Sequence, residues 1–288
     1  MKKIFYFSAL SAILLTSLFS SCEKDAGIAL PETPPKLVLV SFITPQDTIL
    51  SVTVKRSQPI FESYSVNTSS AVTDATVIMA GSSGSVQLVY NLQRECYEIA
   101  STVLPVIAGN SYTLTVTTPR GESVKAETTV PYHSGVAGFS VTMTDSASND
   151  MGFIQISTDF NYSMTDYAGE ENRYRFFSAV VLLDTLTNDT TDFRYMNQLF
   201  TDNNKDGQQI QSSLHGDWAN YDPANTQKVI GYDCWMFNVN KDYYNYHNSL
   251  YNYSGDDPFS EPTIIYTNVD GGLGVFAAAN GSKIRIYR

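Results

Sequence analysis

Cys22 is the residue of this chain best placed for covalent chemistry. It closes the stretch Leu18-Phe19-Ser20-Ser21-Cys22, which resembles a bacterial lipobox, with Phe19 where Leu or Val is usual. In such a motif the cysteine thiol is acylated and becomes the mature N-terminus. Lys2 and Lys3 precede a mostly apolar run over 4–19, and Ser20 and Ser21 are the small residues a signal peptidase needs at its cleavage point. The run falls short of the ~20 apolar residues a spanning helix takes. Residues 1–21 are therefore expected to be a signal peptide, and Cys22 a lipidated anchor. Each buried acyl methylene contributes about 0.8 kcal/mol, so several chains, palmitate included, hold a protein on its membrane without a transmembrane helix.

Other reactive residue types are present without the spacing that chemistry requires. Asp202-Asn203-Asn204-Lys205-Asp206-Gly207 matches the first half of a calcium loop, with oxygen donors at Asp202, Asn204 and Asp206 and then a turn glycine. The twelfth position is Ser213 instead of a bidentate Glu, so the match is a weak calcium candidate and no metal or other cofactor is expected. His133, His215 and His247 are widely separated, and no pair has the HExxH kind of ligand spacing. No Gly-x-Ser-x-Gly elbow places a serine nucleophile, so no catalytic residue and no enzyme activity are expected. Gly271, Gly272 and Gly274 permit close backbone approach, while Leu273, Val275 and Phe276 can anchor in a core; a tight structural turn is expected here. No helix follows to receive a pyrophosphate, which excludes dinucleotide binding.

Eight tyrosines fall between Tyr221 and Tyr266. Tyr and Trp offer large contact area at low entropy cost, so an aromatic surface for a partner or a sugar competes with an aromatic-lined core. Trp235, within an apolar run, is expected in the core. Trp218 and Tyr221, in what reads as an Asn/Asp/Pro-bearing loop, and Tyr253 are the candidate partner or ligand surface.

The elements that must position these residues are strands. Removing Lys2 and Lys3 with the leader takes the formal balance from −11 to −13, which argues against a basic surface for nucleic acid or anionic lipid. Charged residues are 16% of the chain and hydrophobic ones 43%, the balance of a folded protein. Pro31, Pro34 and Pro35 make 22–35 a stiff tether. Period-two alternation over Leu50, Val52 and Val54, and again over Tyr112, Leu114 and Val116, joins strand signals at 37–43, 75–79, 87–90, 97–99 and 124–130. Closely spaced glycine turns complete the pattern of an immunoglobulin-like β-sandwich over 36–131. A second β-rich domain is expected over 132–288, with strands at 139–144, 153–160, 174–183, 229–239, 263–268, 275–279 and 283–287. One short helix over 241–251 is capped by Asn240 and stopped by Gly255. The fold class is all-β. Cys96 and Cys234 fall in different domains and can either pair or stay as buried thiols.

These elements together resemble a family of Bacteroidota surface lipoproteins, domain of unknown function 4249. The likeness rests on an ordered set along nearly the whole mature chain. It runs through Lys36-Leu37-Val38-Leu39-Val40, Ala75-Thr76-Val77, Cys96-Tyr97 and Gly109-Asn110-Ser111-Tyr112-Thr113-Leu114. It ends with Tyr243-Tyr244, Pro258-Phe259-Ser260-Glu261-Pro262 and Asn268-Val269-Asp270-Gly271-Gly272-Leu273-Gly274-Val275-Phe276. The resemblance implies a TonB-dependent outer-membrane transporter as partner, and no catalytic residues. Glu23-Lys24-Asp25 directly after the cysteine resembles the tract that sends such lipoproteins to the outer face of the outer membrane. The expected role is a non-enzymatic accessory subunit that captures ligand or caps the channel; the alternative is a stand-alone surface adhesin or glycan-binding module. The anchor is directly testable: Cys22→Ala is expected to move the protein from the membrane pellet to the soluble fraction without detergent. A variant as firmly membrane-bound as the parent would place the anchor elsewhere.

Overall fold

The computed structural model describes residues 34–58, 70–133, 137–150, 152–222, 224, 226–253 and 264–288. Cys22, Pro31, Gly255 and the 258–262 motif lie outside the described residues. The first half is built from β1 (Leu37–Ile43), β2 (Ile49–Arg56), β3 (Thr76–Gly81), β4 (Gly84–Asn91), β5 (Cys96–Ala100), β6 (Ser111–Thr117) and β7 (Ser123–Thr129). Alternation does what the sequence pattern predicts: Leu50, Val52 and Val54 on β2 and Tyr112, Leu114 and Val116 on β6 are all buried in one core. The pairing order runs β1-β2-β5-β4-β3-β6-β7. Because β4 pairs with both β5 and β3, the ladder turns a corner there and closes over its own core. Tyr112 Oη donates to the Pro105 carbonyl at 2.8 Å and accepts from Ile107 N at 2.7 Å, the backward tyrosine bond typical of immunoglobulin-like sandwiches. Arg56 on β2 forms a two-pronged ion pair with Glu122 in the β6–β7 turn. Hydrogen bonds from Arg56 and Thr118 bring the Glu122 carboxyl down to about 2.

The second half contains β8 (Ala137–Asp150), β9 (Phe153–Thr165), β10 (Arg173–Asp184), β11 (Thr190–Thr201), β12 (Gln209–Tyr221), β13 (Gln227–Val239), helix α1 (Lys241–Tyr251) and β14 (Leu273–Tyr287). A three-stranded sheet, β12-β9-β8, packs over β11-β10-β13 and the far end of β14 around a second core. That core holds Phe160, Tyr162, Tyr174, Phe176, Tyr232 and Met236. The chain is thus all-β, an immunoglobulin-like sandwich followed by a second β-rich half with one short helix. The helix begins as the sequence predicts, with Asn240 Oδ1 accepting from Tyr243 N at 3.0 Å.

Three strand expectations change. The stretch containing Trp218 and Tyr221 is β12, not a loop. Its inward positions carry Ile210, Leu214 and Trp218, but Ser212, Gly216 and Asn220 sit between them and dilute the alternation. β11 is hidden in the same way by its polar composition. Residues 264–269 form no strand, since the Asn268 side-chain amide takes over the pairing a strand would make. Finally, 275–279 and 283–287 are parts of one strand that runs through Asn280-Gly281. Asn280 is fully buried and donates to the carbonyl of Pro131 at 3.0 Å, and a Cβ on Gly281 would overlap the Phe237 ring, so this Asn-Gly pair serves packing instead of a turn.

That strand unites the molecule. Its first part pairs in parallel with β1, from Val38↔Leu273 to Ile43↔Ala278, and Phe276 and Ala278 complete the first core. Its second part pairs antiparallel with β13, from Val239↔Ala279 to Gly231↔Tyr287, and Ile286 packs on the second core. Pro35–Arg288 accordingly forms one compact unit. The parallel register demands glycine at 274: its φ is +104°, and a Cβ would overlap the Leu39 carbonyl oxygen. Gly274→Ala is expected to lower stability by about 2 kcal/mol or more, read as a drop in urea midpoint. An unchanged midpoint would show that β14 is not held against β1 in this way.

Candidate functional site

The outward side of the β12-β9-β8 sheet is a polar surface assembled in register. Successive ranks across the three strands are Ser140–Ser163–Gln211, Thr142–Asn161–Ser213, Thr144–Asp159–His215, Ser146–Ser157–Asp217 and Ser148–Gln155–Ala219. With strands about 4.8 Å apart and ranks about 6.8 Å apart, hydroxyls, amides and carboxylates form a lattice. Two open grooves lie on it. One, of about 430 Å³, is bordered by Ser146, Gln155, Ser157 and Asp217; the other, of about 520 Å³, by Thr142, Asn161, Gln211 and Ser213. No Lys or Arg occupies any of these ranks. Phe153 and Tyr221 meet at the next rank, 5.0 Å apart and both exposed, and close one end with an aromatic platform. Midway, His215 Nδ1 lies 2.7 Å from Asp159 Oδ1, and Nε2 lies 3.6 Å from Asp217 Oδ2. The Asp159 hydrogen bond raises the His215 pKa. Ser213, two residues away, donates to Asn161 Oδ1 instead of joining His215.

The opposite side of the second half, the outer surface of β10, β13 and β14, has different chemistry. Phe177 stacks on Trp235 at 4.5 Å and on Phe237 at 5.6 Å. Lys283 Nζ lies 4.8 Å from the centre of the Trp235 ring. Asp233, whose side chain is 3% exposed, accepts from Lys283 at 2.6 Å and from Arg285 at 2.5 and 2.6 Å. Burial alone would raise this carboxyl; the hydrogen bonds from Arg285 and Lys283 outweigh it and the net shift is downward. Helix α1 docks beside this ladder: Arg175 Nη1 donates to Tyr243 Oη at 2.6 Å and lies 3.0 Å from His247 Nε2, while His247 stacks on Phe42 at 5.0 Å.

The sequence candidates are dispersed by this arrangement. Trp218 points to the second core and touches Phe193, with ring centres 6.0 Å apart, while Tyr221 on the same strand is 63% exposed. Tyr253 is exposed just after α1, the helix that docks on the outer surface of β10, across the core from β12. Trp235, expected in the core, stands half-buried on the outer surface instead, because its strand neighbours Cys234 and Met236 take the inward positions. Asp202 and Asp206 accept backbone hydrogen bonds from Asn172 and Gly169, at 3.1 and 2.7 Å, and Asn204 is exposed with φ +66°. Among the described residues no group of three or more His, Cys, Asp or Glu is arranged to hold a metal ion. Cys96 and Cys234 are free buried thiols in the two halves, and burial pushes the Cys234 thiol up to about 12. The polar ranks are not apparent in the sequence because one of their three strands, β12, reads as a loop.

The model of a family described as domain of unknown function (DUF4249) matches residues 23–285. No curated protein matches the chain. Among solved structures, a segment of two fibronectin type III domains from chicken tenascin is similar at 12% identity, covering 88% of this chain and 99% of that one, with a TM-score of 0.21.

The central rank yields a direct check. Asp159→Asn is expected to lower the His215 titration midpoint toward that of an ordinary imidazole, followed by NMR of the ring protons. A midpoint that stays put would show that Asp159 does not hold the ring.

Proposed function

The chain belongs to the DUF4249 family, and from that premise we propose that it is a non-enzymatic lipoprotein of the outer membrane. It is anchored through Cys22, faces the cell exterior, and serves as an accessory subunit of a TonB-dependent transporter. The lipobox-like segment and the charged tract behind it support the anchor and the surface address. The observation that carries the partner role is the outer surface of β10, β13 and β14. Phe177, Trp235 and Phe237 form a half-buried aromatic ladder there, bordered by Lys283 and Arg285, in a chain whose overall balance is strongly acidic. Aromatic residues and Arg are the types that dominate the energetic centres of protein interfaces. Joined to the first sandwich through β14, this surface is offered to the transporter by one compact unit, for ligand capture or for capping the channel.

Affinity purification of the tagged lipoprotein from outer membranes in mild detergent, with mass spectrometry of what accompanies it, tests the reading. A TonB-dependent transporter is expected in near-stoichiometric yield. The double variant Trp235→Ala, Lys283→Glu is expected to lose it, since truncating an interface anchor costs about 2 kcal/mol or more. Recovery without any such transporter overturns the partner role. Undiminished recovery with the double variant overturns the assignment of the surface.

A further inference from the structure

We infer that the polar trough on the β12-β9-β8 sheet is a binding site for an extended, neutral oligosaccharide. The inference goes beyond the partner role above and holds whether or not a transporter docks on the opposite side.

Three observations select this ligand class. The first is donor and acceptor balance. Ser, Thr, Asn and Gln fill most of the outward positions, and each offers both a donor and an acceptor, as sugar hydroxyls do. Some of these groups already orient one another: Ser140 Oγ lies 2.9 Å from Ser163 Oγ, and Ser213 Oγ donates to Asn161 Oδ1 at 2.5 Å. Such pairs leave further lone pairs and protons for a ligand. The second is charge. The ranks hold Asp159, Asp217 and His215 but no Lys or Arg, so a nucleic acid, an acidic polysaccharide or a phosphorylated ligand meets no counter-charge. The third is shape. Two open grooves lie along the strands, one on each side of the Thr144–Asp159–His215 rank, and Phe153 and Tyr221, 41% and 63% exposed, stand at the rank beyond the first of them. An elongated ligand fits that outline, with one sugar ring packed against the aromatic pair. A compact cofactor takes an enclosed and mostly apolar pocket, which this trough is not. A protein partner centres on apolar anchors, and the five ranks carry none apart from the Ala219 methyl.

The test is isothermal calorimetry on the full-length chain in detergent. The panel comprises neutral hexasaccharides of glucan, mannan, xylan and galactan, with a galacturonate hexasaccharide and hexalysine as comparators. At least one neutral hexasaccharide is expected to bind. Tyr221→Ala is expected to weaken it about tenfold. The pair Asn161→Ala, Ser213→Ala is expected to weaken it comparably, and all three side chains are exposed enough to leave the melting curve unchanged. Failure of every neutral hexasaccharide at millimolar concentration overturns the inference. So does binding confined to galacturonate or hexalysine, or neutral binding that both variants leave intact.

Discussion

The whole fold depends on the parallel contact between the last strand and the first. β14 lies so close to β1 that a side chain at position 274 would occupy the Leu39 carbonyl. Once seated, its N-terminal part supplies Phe276 and Ala278 to the first core, and its C-terminal part pairs with β13 beside the second. Parallel pairing cannot be made by a tight turn and here closes a loop of nearly the whole folded chain. The entropy of closing so long a loop grows only with the logarithm of its length, whereas the folding rate falls with the separation of the contacts. The first sandwich therefore lacks part of its core until the C-terminus has been made. The two halves are held by one strand instead of a linker, which removes the hinge a two-bead arrangement would have.

A strand shared in this way changes partner along its length, and the change leaves backbone groups to be satisfied. Asparagine side chains meet that need, because a primary amide carries the same donor and acceptor pair as a peptide unit. Asn268 Oδ1 accepts from Phe276 N at 3.0 Å, and Nδ2 donates to Phe276 O at 2.8 Å, so one side chain stands in for a strand residue. Asn240 donates its backbone N–H to Ala278 O at 3.0 Å, and its side chain caps α1 while reaching Thr128 on β7 at 2.7 Å. Asn280 holds the crossover by donating to the Pro131 carbonyl while Gln46 Nε2 donates to its Oδ1 at 3.2 Å. The start of the helix, the end of β13 and the crossover of β14 are thus one hydrogen-bonding problem solved within a few residues.

This explains which parts of the structure were legible in the sequence. The first half was, strand by strand, because each strand buries one face and alternates cleanly, as Leu37, Leu39 and Ile43 do on β1. The helix was legible from Asn240 and the spacing of Tyr243, Tyr246 and Leu250, although none of its residues is fully buried. β14 was legible only in pieces. Asn280-Gly281 is a turn dipeptide by its local chemistry, and what overrides it is tertiary: a buried amide and a ring packed on a bare backbone. The trough was illegible for a different reason. Parts of β8 and β9 alternate well enough to read as strands, but β12 exposes Gln, Ser, His and Asp on one side and buries an interrupted apolar set on the other, a composition that single-sequence patterning assigns to loops.

The second half therefore separates two chemistries by the thickness of one sandwich, about 10 Å. One surface is aromatic with paired cations; the other is hydroxyl- and amide-rich with acidic residues and no cation among its ranks. Neither arises from the need to fill a core, since inward positions on the same strands already do so with Phe160, Phe176, Tyr232 and Met236. Outward positions lie outside the two cores, and average surface composition would mix charges of both signs on each side. The segregation instead leaves two chemically distinct surfaces that share no outward position. Because β14 ties that half to the first sandwich, a load on either surface is transmitted through paired backbone to β1. No flexible joint among the described residues interrupts that path.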